Sequence, residues 1–231
     1  MILVVAAVAE ELELLGSRLE PAPALGRRRC MSGKVGDTQV LAVVGGIGQA
    51  NAAQATTAAL EALGEGIAAV VNIGCGGAYP SSGLGIGDVA VATELVFADL
   101  GLATDRGLVG FERLGMALGE GPEGPVYDRL GADSRLCEAL GSAGVQARGG
   151  FATVERISAS ESIAREVARR TGAIVEEMEG AAVGLVALHY HKPFAALRGI
   201  SNIAGARELN LLAGALAAQR LLIKALEEGR V

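Results

Sequence analysis

"QVLAVVGGIGQANAAQATTAALEALGEGIAAVVNIGCGGA", residues 39–78, decides the fold. The run 39–44 is apolar and reads as a strand. A glycine turn follows at 45–48, and the alanine-rich stretch to residue 63 reads as a helix. Residues 67–73 form a second apolar strand, which ends in the glycine cluster "GCGGA" at 74–78. A strand, a helix and a strand in succession make the unit of a sheet with helices packed on its faces.

The same alternation extends outward. Residues 2–8, 88–97, 151–157, 174–176 and 194–200 read as strands. Residues 10–19, 160–170, 181–189 and 207–228 read as helices, with Ser160 as an N-cap. Residues 99–130 are rich in Gly and Pro and predict a long loop. No linker, repeat or low-complexity segment interrupts the chain, so residues 1–231 are expected to form one domain, an α/β sheet covered on both faces.

Composition narrows the partners. The chain has 231 residues, 51% of them hydrophobic, with 34 glycines and no Trp. Its net charge of -6 argues against nucleic acid or an acidic membrane surface. Cys30, Cys75 and Cys137 are widely spaced and odd in number, which argues against a disulfide framework. The first residues lack a basic n-region and meet carboxylates at once, so no leader or membrane span is expected, and the default location is the cytoplasm. His189 and His191 have no third ligand nearby and read as helix-end or surface groups, not a zinc site. No metal and no cofactor is assigned.

In an open α/β sheet, ligands collect at the carboxyl ends of strands. Here those ends carry Glu10 and Glu11, "GGIG" at 45–48, "GCGGA" at 74–78, "EEME" at 176–179 and "SNIAG" at 201–205. Each feature also has a plain structural explanation. Glu10 and Glu11 suit the first turn of a helix, where the dipole favours acids; alternatively one is a general base. Asn202 suits a cap or turn. Cys75 suits a small packing position. The glycine turn matches G-x-G-x-x-G only in part, because Asn51 stands at the third glycine. The "EEME" acids are harder to explain. Glu176, Glu177 and Glu179 sit in an apolar run, and glutamate is rarely buried unless its charge is satisfied.

Together these segments resemble the nucleoside phosphorylase and nucleosidase superfamily, most closely its nucleosidase branch, which includes methylthioadenosine/S-adenosylhomocysteine nucleosidase and futalosine hydrolase. The resemblance rests on "AVAEELELL" at 7–15, "GGIGQANAA" at 45–53, "NIGCGGA" with "IGDV" at 86–89, "EEMEGAAV" at 176–183 and "RGISN" at 198–202. It implies a three-layer sandwich with a mixed central sheet flanked by helices.

It also implies roles. Glu179 would accept hydrogen bonds from the ribose hydroxyls, with Met178 against the sugar face and Glu177 supporting the network; Glu176 would be structural. Glu11 would activate water. Phosphorylases need arginines around phosphate, and here none precedes Arg18 or lies in the glycine turn, so hydrolysis is expected. Asn202 would stabilise the leaving base. Adenine-specific members carry Asp there, whereas an Asn amide can donate to a 6-oxo oxygen. The expected substrate is therefore futalosine of the menaquinone pathway, releasing hypoxanthine. Methylthioadenosine/S-adenosylhomocysteine nucleosidase is the alternative, then a purine nucleoside phosphorylase or a silent nucleoside binder. Ile47, Cys75 and Ile157 would line the pocket, with Cys75 in place of a serine and Ile157 in place of a stacking aromatic. Arg207 would meet a substrate carboxylate, and Arg198 would pair with a buried acid. The family's habit implies a homo-oligomer, a dimer or larger.

Overall fold

The computed structural model describes residues 1–122, 124–206 and 208–231. Its strands are β1 (Ile2–Ala6), β2 (Glu20–Leu25), β3 (Arg28–Val35), β4 (Thr38–Val44), β5 (Ala69–Ala78), β6 (Val89–Phe97), β7 (Leu102–Thr104), β8 (Gly107–Val109), β9 (Gly119–Gly121), β10 (Gly124–Val126), β11 (Arg129–Gly131), β12 (Ala147–Thr153), β13 (Ala173–Glu177) and β14 (Phe194–Ile203). Its helices are α1 (Glu13–Gly16), α2 (Gln49–Leu63), α3 (Phe111–Leu114), α4 (Ser134–Ser142), α5 (Glu161–Thr171), α6 (Gly180–His189) and α7 (Leu211–Glu227).

One mixed sheet runs β11-β6-β12-β13-β5-β1-β4-β3-β2. The remaining member, β14, pairs with both β5 and β6, parallel to the first and antiparallel to the second. The strands β6, β12, β13, β5 and β14 therefore close into a ring, and β1, β4, β3 and β2 continue from it as an open wing. The central strands are apolar on both sides. In β1, Leu3 and Val5 enter the core shared with α2 and α6, while Ile2, Val4 and Ala6 enter the core shared with α1, α4 and α7. This two-residue alternation is the pleat sending side chains to opposite faces. Complete burial of each Leu, Ile or Val side chain contributes about 1.5–3 kcal/mol. A third cluster packs α5 against the outer ends of β12 and β13.

The three-layer mixed α/β class agrees with expectation, but several local readings need correction. The strand read at 67–73 does not end at "GCGGA": β5 continues through it to Ala78. Its glycines serve close approach instead. A Cβ at Gly74 would lie 2.6 Å from Glu11 Oε1, and one at Gly76 would lie 2.6 Å from Val175. The helix expected over 10–19 is a 3-10 turn, Ala9–Leu12, followed by the single turn α1. The loop at 99–130 holds the short hairpins β7–β8 and β9–β10, the turn α3 and the start of β11. The last helix begins at Leu211, capped by Asn210, whose side chain accepts from Ala213 N at 3.0 Å. Ser160 caps α5 as expected, accepting from Ile163 N. Among the described residues, no helix is long and apolar enough to cross a membrane.

Candidate active site

The site is assembled on β5 between Gly74 and Gly77. Glu11 reaches it from the 3-10 turn that follows β1. One carboxylate oxygen accepts from Cys75 N at 2.7 Å. The other accepts from Ala7 N at 3.0 Å and Val8 N at 3.3 Å. A dipole-complementing acid on a helix surface would be solvated; Glu11 is instead buried and aimed at β5. Its neighbour Glu10 is exposed.

Glu179 approaches from the other side, at the start of α6. Its Oε1 accepts from Gly48 N at 2.8 Å, and its Oε2 lies 3.9 Å from Arg198 Nη2. Gly46 and Gly48 hold φ values of 96° and 89°, which strongly favour glycine. Gly48 is the N-cap of α2 and offers no side chain of its own, so its free amide is available to Glu179. Burial pushes the Glu179 carboxyl up to about 7, helped by the charges of Glu177 and Glu11 and opposed by Arg198 and the Gly48 amide.

The "EEME" acids divide into two kinds. Glu177 is wholly enclosed. It accepts from Thr153 Oγ1 and Arg198 Nη2, from Glu179 N at 2.9 Å and from Gly180 N at 2.6 Å. Every lone-pair direction is directed at the protein, so Glu177 orders the strand-to-helix turn that carries Glu179. Glu176 points the opposite way, accepting from Ser158 N at 3.0 Å, Ser158 Oγ at 2.5 Å and Tyr79 Oη at 3.3 Å. Arg198, fully buried, pairs with Glu177 and donates to Asn72 Oδ1 at 2.5 Å. The expectation that Arg198 pairs with a buried acid holds.

Asn202 stands beside Gly77 across a bulge in β14 between Ile200 and Asn202. Such an extra residue re-aims the side chains around it. Ser201 Oγ lies 2.9 Å from Asn202 Oδ1 and donates to it, and Asn202 Nδ2 lies 3.3 Å from Ile203 O. Since Asn210 caps α7, capping does not explain Asn202. Cys75 Sγ donates to Leu211 O at 3.2 Å. Burial first, then the charge of Glu11, pushes its thiol up to about 12, so it is no thiolate nucleophile.

Glu11 and Asn202 thus stand beside β5, at Gly74–Cys75 and at Gly77, and Glu179 is tied to the same region through Arg198, whose strand pairs with β5. Ile47 is 59% exposed on the glycine turn and Ile157 is 68% exposed beyond β12. Met178 is half-buried against the α5 cluster. Arg207 lies outside the described residues. The sequence reading missed Asn72, although one asparagine inside the apolar run 67–73 was a visible signal. Its Nδ2 donates to Val5 O at 2.9 Å, tying β5 to β1.

The chain belongs to the phosphorylase superfamily, whose family model matches residues 1–226. It is 30% identical to the 5'-methylthioadenosine/S-adenosylhomocysteine nucleosidase of Bacillus thuringiensis, covering 98% of each chain. It is 29% identical to the enzyme of that name from Anoxybacillus flavithermus, covering 88% of this chain and 86% of the relative. The S-adenosylhomocysteine nucleosidase of Streptococcus pyogenes, solved with 5-methylthiotubericidin, superposes with a TM-score of 0.80 at 26% identity, over 98% of this chain and 96% of that one.

Proposed function

We propose that the protein is an N-glycosyl hydrolase of purine nucleosides, acting on 5'-methylthioadenosine and S-adenosylhomocysteine. The observation that supports this is a pair of buried acids near β5: Glu11 accepts from Cys75 N, and Glu179 accepts from Gly48 N and lies 3.9 Å from Arg198 on the neighbouring strand β14. The relatives' activities favour the adenine nucleosides.

The chemistry follows from the residues. The C1'–N9 bond lengthens and its electron pair leaves with the base, while the ribose takes on oxocarbenium character. Asn202 hydrogen-bonds the departing base. A ribose diol has two O–H donors, and an ionised Glu179 has acceptors for both. Water bonds to C1' and one of its protons passes to Glu11, while the departing purine takes up a proton from solvent and leaves as the neutral base. Glu11 and Glu179 would repel a phosphate at the attacking position, which favours water.

A second reading, cleavage of a 6-oxopurine nucleoside such as futalosine, is favoured by Asn202. Its amide can donate to a 6-oxo oxygen and accept from a protonated N7, whereas it has no acidic proton to hand to the N7 of adenine. Incubation with methylthioadenosine, S-adenosylhomocysteine, futalosine and inosine, with and without phosphate, separates these readings by the free base released. Adenine without phosphate supports the main one. Hypoxanthine from futalosine alone transfers support to the second, and strict phosphate dependence rejects hydrolysis. Asn202→Asp should raise the adenine-to-hypoxanthine preference by about tenfold or more, since a mismatched buried donor or acceptor costs about 1–3 kcal/mol. An unaltered ratio would remove Asn202 from base selection.

Glu179 gives a pH prediction. Its pKa is raised from 4.5 to about 7, so the folded state resists the charge. That costs stability progressively above pH 4.5, and the cost is complete above pH 7. A bound diol favours the ionised form and draws this pKa down. Nucleoside binding at pH 6 should therefore release a proton, and affinity should climb with pH until about 7. Binding calorimetry in buffers of different ionisation enthalpy measures the release; a binding heat independent of buffer would exclude it.

A further inference from the structure

We infer that Arg28 is a specificity-determining residue that recognises a carboxylate on the 5' substituent of the nucleoside. The inference rests on the nucleosidase reading and extends it to the substrate's far end.

Arg28 opens β3, and Cys30 two residues later pairs with Val43 at the end of β4. This register brings Arg28 level with the glycine turn. A Cβ at Gly46 would lie 2.9 Å from Arg28 Nη1. Two residues further along that turn, Gly48 N holds Glu179. The guanidinium is fixed on its other nitrogens: Nε donates to Gln54 Oε1 at 2.6 Å and Nη2 donates to Asn51 Oδ1 at 2.8 Å. Asn51 is itself anchored, donating to Ile47 O at 2.8 Å.

Both of these partners are neutral amides. None of the ion pairs among the described residues includes Arg28. A surface arginine without function is ordinarily mobile and solvated; this half-buried one is oriented twice without being neutralised. In a chain of net charge -6, a clamped and unneutralised cation at the rim of a site is arranged for an anion. The remaining nitrogen, Nη1, faces the turn at Gly46, and the next residue of that turn, Ile47, is exposed. An apolar contact next to a fixed cation suits a substituent that is apolar near the ribose and ends in a carboxylate. The acids Glu11 and Glu179 disfavour that carboxylate deeper in the pocket, which orients the substrate.

The test compares S-adenosylhomocysteine with its decarboxylated analogue, which differs by the carboxylate alone. Affinity is measured by calorimetry and turnover by base release. Wild-type protein should prefer the carboxylate by about tenfold, as expected for a charge-assisted hydrogen bond at a partly exposed site. Raising the salt concentration should shrink that preference. Arg28→Gln should abolish it, and Gln54→Met, which frees Nε and keeps the charge, should reduce it; thermal unfolding confirms that both variants fold. If the base released proves to be hypoxanthine, futalosine and its methyl ester make the same comparison. Equal handling of both members of a pair by wild type, or a preference that survives Arg28→Gln, overturns the role of Arg28 and leaves the nucleosidase reading standing. Failure to bind or cleave any of these nucleosides overturns both.

Discussion

Replacing Glu11 with glutamine is expected to lower turnover by about a hundred- to ten-thousandfold, the range that positioned general bases supply. Nucleoside binding should remain measurable, because the proposed sugar and base contacts are those of Glu179 and Asn202. The structure adds a refinement. Both Glu11 oxygens accept from backbone amides, at Cys75 on one side and at Ala7 and Val8 on the other. A glutamine has one oxygen for these donors and must turn its NH2 toward an N–H. A loss of about 1–3 kcal/mol in stability should therefore accompany the loss of rate. Titration with a nucleoside and a denaturation curve separate the two effects. Turnover within a factor of a few of wild type would remove Glu11 from the chemistry.

The largest effect on stability is expected at Arg198. Its side chain is 1% exposed, Glu177 is wholly buried beside it, and Glu179 lies 3.9 Å away. Arg198→Met leaves two acids facing a core without their counter-charge, and breaking a buried pair from one side costs about 3–5 kcal/mol. That is a large fraction of the stability of an ordinary domain. The double variant Arg198→Met with Glu177→Gln should recover part of the loss, because it removes the uncompensated charge. Urea unfolding of the two variants checks this; a single-variant loss below about 1 kcal/mol would show that the pair is not structurally important.

The central parts of the fold were readable because their residues obey one rule at a time. The strands β1, β4, β5, β6 and β14 are apolar on both faces, and α2 follows its strand through glycines. The strands β2 and β3, "EPAPAL" and "RRCMSGKV", gave no such signal. They form the outer wing; β2 is largely exposed and β3 buries only Cys30, Met31 and Val35, so neither strict alternation nor a continuous apolar run is required of them. The strand was read as ending before residue 74 because glycine marks both strand ends and close approach, and only the Glu11 and Val175 contacts tell the two apart. At the site, Glu11, Glu179 and Asn202 were visible as acids and an amide in segments that resemble known motifs. Arg198 was visible as the partner of some buried acid, but that this acid is Glu177, also held by Thr153, was not, because Thr153 and Arg198 are distant in sequence and meet it only through the closed ring. Arg28 was hidden within "GRRRC", a charged turn that reads as a solvated tip.

The ring closes late. β14, which carries Arg198, follows β1 by nearly the whole chain and reaches both β5 and β6. During synthesis the acids of "EEME" leave the ribosome before their cation does, and the strand that must lie between β5 and β6 is still unmade. A nascent or truncated chain ending before residue 194 would hold Glu177 and Glu179 with no guanidinium to receive them. Its hydrophobic layers could gather, but the centre would stay hydrated or protonated until the final strand docked. Maturation of the catalytic centre and completion of the fold are then one event, timed by the arrival of a single arginine.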